Sequence, residues 1–144
     1  MAQKQELLTN PQFDLGTFAW GETTEPIEYA LLKYKTGTDL TLTTETAANS
    51  SLVIGSYDSR NGNLGTYSST SQEGRRVTPA TSGRIFLRGS GSGDALDKIV
   101  SAGDASGSFK AASGSANVIG QALQAWAHGD VIVVDFYRTA RTQA

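Results

Sequence analysis

The run Val131-Ile132-Val133-Val134-Asp135-Phe136-Tyr137, entered from a Gly129-Asp130 turn, constrains the fold more than any other segment of the chain. β-Branched and aromatic residues at this density fit a pleated surface. Val131, Val133 and Asp135 point one way and Ile132, Val134 and Phe136 the other. Both faces are therefore expected to be largely apolar and the strand central in its sheet. Three related runs precede it, Arg84-Ile85-Phe86-Leu87-Arg88, Lys98-Ile99-Val100 and Val118-Ile119-Gly120-Gln121-Ala122-Leu123, each set off by Gly/Ser/Asp-rich turns. Short strands at this spacing predict an all-β fold, a small β-sandwich or barrel.

Composition agrees. Gly, Ser and Thr occupy 47 of 144 positions, while apolar residues reach 38% and charged residues 18%, both below ordinary globular usage. Thr suits strands and Gly and Ser suit turns, which argues against a helical bundle. A chain of 144 residues supports one core. Upstream, Thr38-Asp39-Leu40-Thr41-Leu42-Thr43-Thr44 alternates as a half-exposed strand with Leu40 and Leu42 on one face. Leu52-Val53-Ile54 is a short apolar run ended by Gly55, and residues 27–35 lean to strand through Ile27, Tyr29 and Leu31. No repeat of 20–50 residues is evident.

Residues 27–137 form the β-rich body, with a lobe inside it and a segment at each end. Residues 1–26 carry Phe13, Phe18 and Trp20 without a sustained period and are expected to form an extended N-terminal arm, its aromatics packed on the body or on a neighbouring subunit. Residues 56–82 are expected to form a polar, turn-rich segment with Tyr57, Leu64 and Tyr67 as its few anchors, either a surface-exposed lobe or a mobile loop. Residues 138–144 form a short C-terminal tail, either disordered or reaching a neighbour.

The formal net charge of −2 disfavours bulk nucleic-acid binding, which relies on neutralising many phosphates. The charge is unevenly spread, with segment nets of −2 over residues 1–35, −3 over 36–74 and +3 over 75–144, a polarity suited to head-to-tail meetings. With no cysteine, disulfides, thiolate metal sites and thiol catalysis are ruled out. The start lacks a signal-peptide run, and no 18 consecutive apolar residues occur, so a soluble chain made in a cytoplasm and without membrane contact is expected.

Catalysis finds no positive support. His128 is the only histidine, in the turn before the last strand, and no serine sits in a Gly-x-Ser-x-Gly elbow. Gly89-Ser90-Gly91-Ser92-Gly93 lacks the Gly-Lys-Ser/Thr of a phosphate loop and is followed by Asp94, so it reads as a flexible strand connection. Asp94, Asp97 and Asp104 lack the calcium-loop pattern and read as solvated turns. No metal or cofactor is expected. Arg75, Arg76, Arg84 and Arg88 place four guanidinium groups within fourteen residues, a basic stripe suited to an acidic protein surface or, more plainly, a charged outer face that discourages edge pairing.

In order along residues 75–137 stand Gly83-Arg84-Ile85-Phe86-Leu87, a turn at Gly93-Asp94, Val118-Ile119-Gly120-Gln121-Ala122-Leu123, and Gly129-Asp130-Val131-Ile132-Val133-Val134. This ordered set resembles the small head-decoration (capsid cement) proteins of tailed bacteriophages. The resemblance implies a non-enzymatic virion protein that trimerises on the outer surface of the head, binds the major capsid protein and clamps neighbouring capsomers of the expanded shell. On that expectation Phe13, Phe18 and Trp20 anchor a capsid-binding arm, and deleting residues 1–26 abolishes head binding while leaving the body folded. The rival expectation is a receptor- or carbohydrate-binding module of a phage tail or spike, with Tyr57, Tyr67 and the 56–82 lobe as its face. A self-associating structural β protein is a third, and a small hydrolase a distant fourth.

Overall fold

Val, Ile and Thr recur in the segments that pair, and Gly, Ser and Asp in the segments between them. The computed structural model, which describes residues 17–61 and 70–143, accordingly contains strands and turns with no helix among the described residues. The strands are β1 (Phe18–Trp20), β2 (Leu31–Tyr34), β3 (Thr41–Thr44), β4 (Val53–Ser56), β5 (Arg76–Val77), β6 (Gly83–Arg88), β7 (Lys98–Ser101), β8 (Phe109–Ala111), β9 (Ala116–Ala122) and β10 (Val131–Gln143). They form two five-stranded sheets, ordered β4-β2-β3-β1-β5 and β6-β10-β9-β7-β8. Pairing is antiparallel except between β1 and β3, so the all-β, sandwich-like architecture expected from the strand pattern is the one observed.

The sheets meet over a core in which Leu31 and Val53 of the first sheet pack against Ile85, Leu87, Ile99, Ile119, Val134 and Phe136 of the second. Leu32, one residue on from Leu31, faces the other way and joins Trp20, Leu42, Tyr57 and Val77 in a second cluster. The first sheet is thus apolar on both faces, and both leucines are fully buried. Polar links reinforce the joint between the sheets. The Leu31 N–H donates to the Gly107 carbonyl at 2.8 Å, and Asn117 donates through its backbone N–H and its Nδ2 to the side chain and carbonyl of Asn49 at 2.7 and 2.8 Å. The buried Glu45 carboxylate accepts from the Ala47 N–H and the Ser50 hydroxyl, which is what makes its burial tolerable.

Trp126 organises the second sheet. Its indole meets the Phe109 ring edge-on at 4.9 Å between centroids, and its Nε1 donates to the Ser90 carbonyl at 3.1 Å. Gly93 and Trp126 exchange backbone hydrogen bonds at 3.0 and 3.1 Å. A Cβ on Gly89 or on Gly93 would collide with the indole. The Gly89–Gly93 stretch is therefore a clasp over a tryptophan and not a flexible connection, because only a bare backbone fits that close to the ring. The clasp also brings Gly89 into a parallel bridge with Phe109 of β8, so the chain leaving β6 reaches the far edge of its own sheet and curls it towards closure.

Several expectations are corrected. Leu40 adopts a left-handed conformation (φ 49°) and is exposed; the β2–β3 connection consumes it, so it shares no strand face with Leu42. Tyr29 is also left-handed (φ 62°), so strand geometry in the 27–35 segment starts only at Leu31. In β10, Ile132, Val134 and Phe136 are buried but Val131 and Asp135 are exposed. The strand has a neighbour on each side in its ladder, yet only one of its faces joins the shared core. Residues 138–143 are no free tail: after a bulge between Phe136 and Arg141, β10 pairs Arg141, Thr142 and Gln143 with Val118, Asn117 and Ala116. Phe18 and Trp20 do not extend away as an arm. Trp20 is 1% exposed, pairs with Leu42, and donates from Nε1 to the Thr24 carbonyl at 2.7 Å, which makes it a core residue of the first sheet. Phe13 lies outside the described residues.

Two stability outcomes follow from these contacts. Trp20→Ala should cost about 3–5 kcal/mol, and removal of residues 1–26, which strips β1 from between β3 and β5, should abolish cooperative thermal unfolding; an unchanged melt would show that the first sheet does not depend on β1. Gly93→Ala forces the indole aside and should cost about 1–3 kcal/mol. Gly91→Ala, with open space around it but a φ of 65°, should lower the melting temperature less. Equal losses at the two glycines would refute the clasp.

Candidate interaction surface

Alternation along β6 buries Ile85 and Leu87 and turns Arg84, Phe86 and Arg88 outward. The ladder carries that outward face across the sheet. Arg88 lies opposite Val131, Phe86 opposite Val133, and Arg84 opposite Asp135. Asp135 is in turn opposite Gln121, and Gln121 opposite Lys98. A polar row, Arg84-Asp135-Gln121-Lys98, therefore crosses four adjacent strands beside an apolar pair, Phe86 and Val133. On β8, Lys110 lies opposite Val100 and adds another exposed cation to the same side. Among the described residues, Arg84, Lys98 and Lys110 form no ion pair; Lys33–Glu45 and Arg60–Asp58 do, outside the polar row.

The edge of this face is held in place by an Asp58–Arg60 clamp. Arg60 donates from Nε and Nη2 to the two carboxylate oxygens of Asp58 at 2.9 and 2.6 Å, a two-pronged arrangement that fixes the guanidinium plane. That plane lies 4.9 Å from the centroid of the Phe86 ring, whose other neighbour is Tyr29 at 5.5 Å. Arg88 is engaged as well, reaching the carbonyls of Gly129 at 3.4 Å and Glu28 at 3.5 Å. At the far end of the sheet, Val100, Ala116 and Val118 form a small cluster beside Tyr137, whose ring carries the Arg141 guanidinium at 3.8 Å.

Hydrogen bonds from Arg60 hold the Asp58 carboxyl below the usual carboxylate range, and burial pushes the Tyr57 phenol up. Tyr57 is only 7% exposed, so it does not present its ring as a glycan platform would. Tyr67 and most of the centre of the 56–82 lobe lie outside the described residues. On the opposite sheet, an open cleft of 490 Å³ is lined by Glu22, Glu25, Glu73 and several threonines, with the Glu22 carboxylate accepting from the Thr43 and Thr44 hydroxyls at 2.7 and 3.3 Å.

Of the four arginines singled out in the sequence, Arg84 and Arg88 do share one outward face. Arg75 and Arg76 do not join them, because they belong to β5 and its approach in the other sheet, where Arg75 donates to Gln72 at 3.3 Å. His128 is exposed and its Nδ1 accepts the Gly91 N–H at 3.2 Å, a structural contact to the glycine clasp. Asp97 and Asp104 accept the backbone N–H groups of Asp94 and Ser108, closing turns. The cations missed by sequence reasoning are Lys98 and Lys110. Each is legible as an outward residue of a short strand, but their grouping with Arg84 depends on a strand order that alternation does not specify.

The clamp sets a pH dependence. Asp58 has a lower pKa folded than its unfolded value of about 3.9, so its stabilisation is present in full above that value and is lost as pH falls through the folded one. Between about pH 5 and pH 2 the wild type should lose more stability in urea titrations than Asp58→Asn does. Identical acid sensitivity would exclude the clamp as a contributor.

No protein-family model matches the chain, and no curated protein matches it. Among solved structures, the chain is similar to the head fiber gp8.5 N base of bacteriophage phi29, with a TM-score of 0.57 and 15% sequence identity, covering 87% of this chain and 96% of that one. The likeness is one of fold, and it spans nearly the whole of that base.

Proposed function

We propose that this chain is a structural, non-enzymatic protein of a tailed-phage virion that sits on the outer surface of the head. It contacts the major capsid protein and, as a homotrimer, clamps neighbouring capsomers and stabilises the expanded shell. The observation that carries this reading is the shared fold with the base of a phage head fiber over 87% of the chain. The ordered strand phrases of residues 75–137, which resemble those of head-decoration proteins, support it from the sequence side and correspond to the second sheet.

The architecture suits such work. A clamp must resist deformation between two capsomers, and a two-sheet core with the Trp126 indole packed against Phe109 and the Gly89–Gly93 backbone gives many contacts that deformation would have to break. Symmetric repetition multiplies a modest contact: linked copies bind with an avidity beyond that of one copy, so each interface can stay small.

The direct test is sedimentation of the purified protein with expanded, undecorated heads of the phage that encodes it. Saturable uptake in a ratio that matches capsid symmetry, together with heads that survive to a higher temperature, is the expected result. Absence of uptake, with adherence to host cells or envelope glycans instead, would replace this reading by the receptor module.

A further inference from the structure

Resting on the head-binding reading, we infer that the outward face of the second sheet is the seat of the protein on the head, and that its counterpart is a carboxylate-rich protein surface. Three features of the face point there. Arg84, Lys98 and Lys110 project from it without an ion-pair partner among the described residues; the carboxylates near them are Asp135 in the same row and Asp94 and Asp97 in the turn before β7, where Asp97 accepts the Asp94 N–H. Cations left unpaired on a sheet face raise the local potential and favour an acidic counterpart. The face is also not purely charged, since Phe86 and Val133 lie side by side on it and Val131 is 37% exposed next to them. Apolar and charged groups side by side are the composition of a protein–protein contact; a phosphate backbone would use the cations but not the exposed Val131 or the half-buried Val133 beside Phe86.

Leu96 supplies the third feature. It sits in the turn before β7, where its carbonyl accepts the Gln121 Nε2 at 2.9 Å, so it borders the polar row. It is held at φ 75° and is 65% exposed. A leucine is disfavoured twice at such a position, by the left-handed backbone and by the wetted side chain, and Gly or Asn would relieve both. A residue that the fold would gain by replacing is accounted for if its side chain is covered in the assembled virion; Leu40 on the β2–β3 hairpin is held in the same way at φ 49°, so it is the charge of the second sheet, together with Leu96, that selects this face.

The test uses the full chain and expanded, undecorated heads, with copies bound per head read at low and at physiological salt. Wild-type affinity should fall steeply with salt. Lys98→Gln/Lys110→Gln should bind about tenfold more weakly, whereas Thr36→Glu/Thr38→Glu, which changes net charge equally on the β2–β3 hairpin of the opposite sheet, should bind as wild type does. Leu96→Asn should melt no lower than wild type and yet bind more weakly, a combination that damage to the fold does not produce. If wild type binds heads and all three variants bind alike, the face is wrong and the head-binding reading stands. Loss confined to the hairpin variant would move the seat to the opposite sheet, and equally strong competition by duplex DNA would replace the acidic protein partner by phosphate. No binding by wild type overturns both readings.

Discussion

Trp126 occupies space that Gly89 and Gly93 leave empty, and the shape of the second sheet follows from that fit. An indole of this size buries a large apolar area, and with Phe109 edge-on to it the ring fills the end of the inter-sheet core. Because the glycine backbone lies directly on the ring, the chain leaving β6 is drawn across to β8, and Gly89 bridges to Phe109. The His128 imidazole and the Ser90 carbonyl complete the clasp by satisfying polar groups at its rim. Tryptophan, two glycines and one histidine thus act together to curl a five-stranded sheet.

Curling has a consequence for the outside. The inward residues of β6, β10, β9 and β7 converge on the shared core, which turns Arg84, Asp135, Gln121 and Lys98 to the outer side, while Val100 on that side is buried in the small cluster with Ala116 and Val118. Register then decides which charges become neighbours. Arg84, Asp135, Gln121 and Lys98 are scattered over 52 positions of sequence and become adjacent only because four strands align them. The Asp58–Arg60 clamp, from the chain following β4, borders this face by placing a guanidinium over Phe86.

The first sheet depends on a different device. Strand β1 lies parallel to β3 and antiparallel to β5, with Trp20 buried between Leu42 and the segment around Arg75. Sequence periodicity gives no warning of this, because three residues are too few to show alternation and the flanking segments are polar. The same shortness hid the roles of Leu40 and Tyr29, whose left-handed conformations end strands that hydrophobicity alone extends.

The β-rich composition and the positions of β6, β7, β9 and the first part of β10 were legible in the residues themselves, because alternation and turn chemistry are local properties; β8, only three residues long, was not. Ile85, Leu87, Ile132, Val134 and Phe136 sit inside as their spacing requires. Absence of cysteine and a near-neutral charge likewise bounded the chemistry without any structure. Tertiary structure alone decided that Gly89–Gly93 is a clasp, that Trp20 is core, that residues 138–143 extend β10, and that Lys98 and Lys110 belong with Arg84. Each of these depends on which distant segments become neighbours, and pairing between distant strands is set by the packing of the whole core and not by the residues on either side.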